Sequence, residues 1–310
     1  MLKETFVKKR KLPDGITYDY GMFDKNKGVE ILHYDSVAHM VESTKNNATK
    51  RKYLDKGEFD EWTWGTEFQG LESTTEALRN GECSQKTLEH IEEYRNVLLN
   101  MDGIDDMMRR ADTFKRRRKF GESGSELDID RVLSGDPEHW QSMTRGKKQN
   151  VIRLGVNFSV TCGHSEEQLN KLGALTTVAV DMLQRCGLAV EVVGLCVAHK
   201  IMSNKLIGTK PEQGFTCVLK SAQEKLDVSR IACIGIPGLY RAYGFTTWIN
   251  YLEGSATSGL GYGDETSNEV KDLLNIKHLL EVKWTKQGRE KAFLTELLKS
   301  ISEQEILETV

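Results

Sequence analysis

Between residues 109 and 120 the chain reads Arg109-Arg110-Ala111-Asp112-Thr113-Phe114-Lys115-Arg116-Arg117-Arg118-Lys119-Phe120, seven cations and one acid in twelve residues. A run so charged is expected at the surface. Its chemistry suits a flexible polyanion, because cations neutralise phosphates while interleaved rings stack on unpaired bases of any identity. Single-stranded DNA is therefore the expected ligand, contacted by Arg109, Arg110, Lys115, Arg116, Arg117, Arg118, Lys119 and Phe120. The plainer reading is a solvated helix face whose charge offsets Asp102, Asp105 and Asp106. Other basic patches lie at Lys8-Lys9-Arg10-Lys11, Lys50-Arg51-Lys52-Tyr53 and Arg145-Gly146-Lys147-Lys148, and Arg145, Lys147 and Lys148 join the expected interface. Tyr240-Arg241-Ala242-Tyr243 sets a cation between two tyrosines, a cluster that can stack bases or anchor a protein. A tyrosine-lined core edge, with Arg241 in an ion pair, is the alternative there.

Sites for metal or catalysis are harder to find. Asn157-Phe158-Ser159-Val160-Thr161 carries hydroxyls at the spacing of a Mg²⁺ loop, but Asn157 stands where the carboxylate belongs. An amide oxygen offers a hard cation only a dipole, so no metal is expected. Gly254-Ser255-Ala256-Thr257-Ser258-Gly259-Leu260-Gly261-Tyr262-Gly263 lacks the Gly-Lys-Ser/Thr of a phosphate loop and reads as an exposed loop. The seven histidines (His33, His39, His90, His139, His164, His199, His278) show no metal-binding spacing, and no Ser or Cys sits in a nucleophile elbow. The six cysteines (Cys83, Cys162, Cys186, Cys196, Cys217, Cys233) form no CxxC pair. Most lie in apolar stretches, where cysteine acts as a small hydrophobe in a reducing compartment. These features together point to binding without catalysis and without a cofactor.

The elements that must carry these residues divide near residue 145. Residues 1–145 read as a mixed α+β region. Val29 to Leu32 suggests a strand, and Trp64 to Leu71 a strand and turn. A helix follows to Asn80-Gly81, and a second runs from about Ser84 to Met101. Residues 121–127, small and polar, read as a linker, and Asp128 to Leu133 as a helical turn. Residues 146–310 alternate in the manner of an α/β domain. Strand Val151 to Val160 precedes a helix from Ser165 to Cys186, then come strands Ala189 to Ala198 and Phe215 to Leu219. A helix near Val228 to Ile236, a strand Leu279 to Trp284 and an amphipathic helix from Arg289 to Ile301 complete the pattern. Such crossovers build a mostly parallel sheet with helices on both faces. With 310 residues, 38% hydrophobic and 29% charged, the chain has the balance of a globular protein, and no apolar run is long enough to span a bilayer. No secretory signal is expected from Met1 to Lys11. At a net charge of −3, polyanion binding must come from local patches.

Val151 to Gly194, with the Asn157 loop and Val190-Glu191-Val192 in the second strand, resembles the cobaltochelatase-like von Willebrand A group. That resemblance implies a Rossmann-like α/β sandwich, a degenerate metal loop and a protein-binding adaptor role. Trp64 to Leu71, Val132-Leu133-Ser134-Gly135-Asp136-Pro137-Glu138 and Val156 to Gly194, taken in order, resemble a family of tailed-phage proteins. One branch comprises the single-stranded-DNA-binding RNA polymerase cofactors of phages related to coliphage N4. Membership implies sequence-tolerant single-strand binding, homo-oligomerisation and recruitment of a phage RNA polymerase in the host cytoplasm.

Overall fold

A computed structural model describes residues 6–7, 10–11, 17–18, 21–24, 29–48, 52–63, 66–101, 118–123, 126–143, 151–159, 164–198, 212–251, 266, 268–286 and 288–307. The protein is α/β. Seven strands form one sheet: β1 (Phe6–Val7), β2 (Gly21–Asp24), β3 (Val29–Tyr34), β4 (Val151–Asn157), β5 (Ala189–Ala198), β6 (Glu212–Lys220) and β7 (His278–Glu281). Their order is β1-β2-β3-β6-β5-β4-β7. Among the five strands from β3 to the β7 edge, β3·β6, β5·β4 and β4·β7 are parallel, and only β5·β6 is antiparallel.

Alternation along β5 shows how the sheet is covered. Val190, Val192 and Cys196 enter the main core, while Leu195 and Val197 turn to a second, smaller cluster with Ile31, Val270, Leu274 and Ile276. A strand covered on both faces needs apolar residues at both parities, hence its nearly unbroken apolar sequence. Helix α5 (Glu166–Arg185) covers the main face with thirteen buried positions. Its start is fixed by a capping box, in which Gln168 N–H donates to Ser165 Oγ at 3.3 Å and Ser165 N–H donates to Gln168 Oε1 at 2.9 Å. Against it pack α4 (Gln85–Leu99), begun by Ser84, and the turn Val228–Ala232.

The region before residue 145 contributes to the same architecture. Strand β3 lies beside β6, and α1 (Val37–Asn47), α3 (Leu71–Asn80) and α4 place Met40, Val41, Leu78, Ile91 and Tyr94 in the main core with α5 and β4. The chain on both sides of residue 145 thus shares one sheet and one core. The expected strand at Trp64 to Leu71 is absent from its described part, residues 66–70. A link between α2 (Lys56–Thr63) and α3 occupies it, with Gly70 N–H donating to Thr63 Oγ1 at 2.9 Å and Thr74 Oγ1 donating to the Phe68 carbonyl at 2.6 Å. Threonine hydroxyls satisfy the backbone that a neighbouring strand would otherwise pair. The final helix, α6 (Arg289–Leu307), starts as expected and runs a turn and a half further. Among the described residues, no helix is long and apolar enough to cross a membrane.

Two histidines give this fold a pH dependence. His33 Nδ1 lies 2.8 Å from Thr216 Oγ1, and burial lowers its pKa from 6.5 against the opposing pull of Asp35. Burial, helped by Lys277, also lowers that of His278. The unfolded chain takes up these protons first, so their contribution is complete above about pH 6.5 and falls away below it. Melting temperature is expected to drop as the pH falls below about 6.5, and less steeply with His33→Gln and His278→Gln combined. An unchanged profile in that double variant would remove these residues as the cause.

Candidate nucleic-acid interface

A second, three-stranded sheet carries the end of the basic run. Strand Trp140–Met143 is central, with Arg118–Gly121 on one side and Glu126–Leu127 on the other, both antiparallel. Gly121, Glu126 and Leu127, expected to belong to a linker, are therefore strand residues of this sheet. The plain reading of 109–120 as a helix face fails for Arg118–Gly121, which is extended.

Pairing sets what the two basic patches share. Arg118 lies opposite Met143, so the chain before 118 and the chain after 143 leave from the same end of the ladder. Arg109, Arg110, Lys115, Arg116, Arg117, Arg145, Lys147 and Lys148 lie outside the described residues.

Phe120 is half-buried and already has a cation on its ring, since the Arg131 guanidinium carbon sits 3.6 Å from the ring centroid. Arg131 is held by Asp136 Oδ2 at 3.1 Å and by the Glu138 carbonyl at 3.3 Å. Its own helix, Ile129–Leu133, starts where Asp128 Oδ1 accepts from Arg131 N–H at 3.2 Å. The Asp128 N–H in turn donates to the His139 carbonyl at 2.9 Å, which closes the segment onto the central strand. His139 and Trp140 place their rings 6.3 Å apart, and Trp140 pairs with Leu127. Sequence reasoning left out Arg131, His139 and Trp140. Trp140 was a legible aromatic within reach of basic residues, but the Arg131–Phe120 contact depends on a pairing across eleven positions that no local pattern records.

Tyr240 and Tyr243 are corrected. They lie in a wide turn, Leu239–Gly244, whose rings point into the protein. Tyr243 is fully buried, its hydroxyl 2.5 Å from Thr75 Oγ1. Tyr240 packs edge-on against Phe245 and Phe158, with centroids 5.0 and 6.4 Å away. Neither ring has a face to offer a base. Arg241 is half-buried and donates through Nη2 to the His164 carbonyl at 2.5 Å, so it braces the loop that starts α5.

Asn157 ends β4, which lies between its two parallel neighbours β5 and β7. Its Oδ1 accepts from Ser159 N–H at 2.9 Å and its Nδ2 donates to Thr266 Oγ1 at 3.0 Å. Thr266 N–H donates to Glu281 Oε1 at 3.2 Å, and Lys283 neutralises Glu281 at 2.7 Å. The amide works as a strut between loops. Among the described residues, no group of three His, Cys, Asp or Glu side chains is placed to hold a metal. Burial raises the thiols of Cys196 and Cys233 to about 12 and that of Cys217 higher still, leaving them inert. The loop Gly254 to Gly263 lies outside the described residues.

The sequence profile of a family described as a domain of unknown function, DUF7192, matches residues 20–303. No curated protein and no solved structure matches the chain significantly.

Proposed function

We propose, on the premise that the chain belongs to the DUF7192 family, whose description assigns no activity, that it binds single-stranded DNA without catalysing a reaction. The observation that supports this reading is the register of Arg118 against Met143, which pairs the last residues of the basic run with a strand that ends two residues before Arg145, in a small sheet that also carries Phe120 and Trp140. Positive charge tracks the phosphates and aromatic faces stack on unpaired bases, which supports sequence-tolerant binding. Self-association and assistance to a phage RNA polymerase in the host cytoplasm belong to this reading through the resemblance alone.

Single- and double-stranded oligonucleotides compared by gel shift across a salt series test it. The single strand is expected to bind more tightly, and both affinities to fall as salt rises. Tighter binding to duplex, or no binding to either, overturns the proposal.

A further inference from the structure

Seven large apolar side chains are exposed among the described residues, and four of them fall in one stretch of seven positions: Leu127 at 47%, Ile129 at 66%, Val132 at 40% and Leu133 at 80%. The helix Ile129–Leu133 buries none of its residues. Local bonds hold it in place, namely the Asp128 cap and the grip of Arg131 on Phe120 and Asp136. A short element that spends its hydrogen bonds to keep apolar side chains in water has the form of an interaction site.

Charge decides what fits there. Between residues 122 and 138 lie Glu122, Glu126, Asp128, Asp130, Asp136 and Glu138, against the single cation Arg131, which is engaged by Asp136. Glu122, Asp130 and Glu138 are exposed. Nucleic acid and anionic lipid surfaces are repelled by such a rim. The chain's own run at 109–119 has the cations but offers only Phe114 and Ala111 as apolar groups, a poor match to four aliphatic side chains.

We propose that the surface formed by Leu127, Ile129, Val132 and Leu133 docks a basic amphipathic segment of a partner protein. Aliphatic side chains of that segment cover the apolar patch, and its cations meet Glu122, Asp130 and Glu138. The protein then joins a nucleic-acid contact and a protein contact within one small sheet and its connections, with opposite charge on the two.

The test uses the full chain and two labelled synthetic peptides of equal leucine and lysine content, one patterned at helical period and one scrambled. The patterned peptide is expected to bind about ten-fold more tightly than the scrambled one, and to lose at least that factor when Ile129→Ser and Leu133→Ser are combined. Single-strand affinity and melting temperature stay unchanged in that variant, and Leu99→Ser, a change at an exposed leucine elsewhere, leaves peptide binding as it was. Equal binding of the two peptides, or undiminished binding by the double variant, overturns the proposal. A double variant that loses self-association while peptide binding is unaffected also overturns it, by assigning the surface to a second copy.

Discussion

Alanine at Arg116, Arg117 and Arg118 together is expected to weaken single-strand binding and to flatten its log–log salt slope by about 2, since each phosphate contact on a single strand contributes roughly 0.7. The salt dependence is the sharper observable. A slope difference of about 2 makes the wild-type advantage grow about sixteen-fold when salt is diluted fourfold, a change that a general loss of structure does not mimic. Fold stability should hold, because surface substitutions usually cost within about 0.5 kcal/mol each. The contact of Arg131 with Phe120 gives the experiment an internal comparison. Arg131→Ala uncovers the ring and removes one cation, so it should alter the slope by at most about one contact. A folded triple variant with unchanged affinity and slope would reduce the basic run to a solvated surface and sink the DNA-binding proposal at this site.

Gly173→Ala should be among the most damaging single changes outside any binding surface. Alanine in a helix ordinarily stabilises by roughly 0.5–1 kcal/mol relative to glycine. At Gly173 the sign reverses, because a Cβ would lie 2.6 Å from the carbonyl oxygen of Ala232. Gly235 makes the reciprocal approach, its Cβ position 2.8 Å from the carbonyl of Leu169. Backbone meets backbone on both sides, so α5 and the turn it crosses must move apart. Overpacking of this kind costs about 1–3 kcal/mol and occasionally more, and at Gly173 neither neighbour is a side chain that can rotate away. A melting temperature lower by roughly 2–5 °C is expected for Gly173→Ala. Gly57→Ala, in a helix with nothing within 4 Å of the new methyl, should instead be neutral or slightly stabilising. Equal effects at the two positions would show that the close crossing of α5 is not what Gly173 serves.

Much of the α/β frame was legible because its signals are local. Ser165 with the acidic Glu166 and Glu167 marks the start of α5, Gly187 its end, and the apolar run Ala189–Ala198 marks a strand covered on both faces. What stayed hidden depends on distant partners. The aromatic pattern around Arg241 looks the same whether the rings face solvent or a core, and only the packing of Tyr243 onto Thr75 and Tyr240 onto Phe158 settles it. Charge density alone could not show that the run at 109–120 ends in a strand paired with Trp140–Met143, because the pairing joins segments that share no pattern. The division at 145 looked natural since the code changes there, yet β3 belongs to the sheet that the later strands build.

The parallel pairing of β3 with β6 also bears on how the chain is made. His33 and Thr216, side by side in that ladder, are 183 residues apart in sequence. A ribosome releasing the chain from its N-terminal side exposes β3 first, while the strand that covers one of its edges emerges only about 180 residues later. Ladders of such high contact order form slowly, because the loop between their strands must close before any contact rewards it. Throughout that interval the nascent protein carries an apolar strand with one of its two native neighbours missing. Chaperone dependence and loss to aggregation should concentrate in that interval, and premature termination before residue 212 leaves a product that cannot complete its sheet.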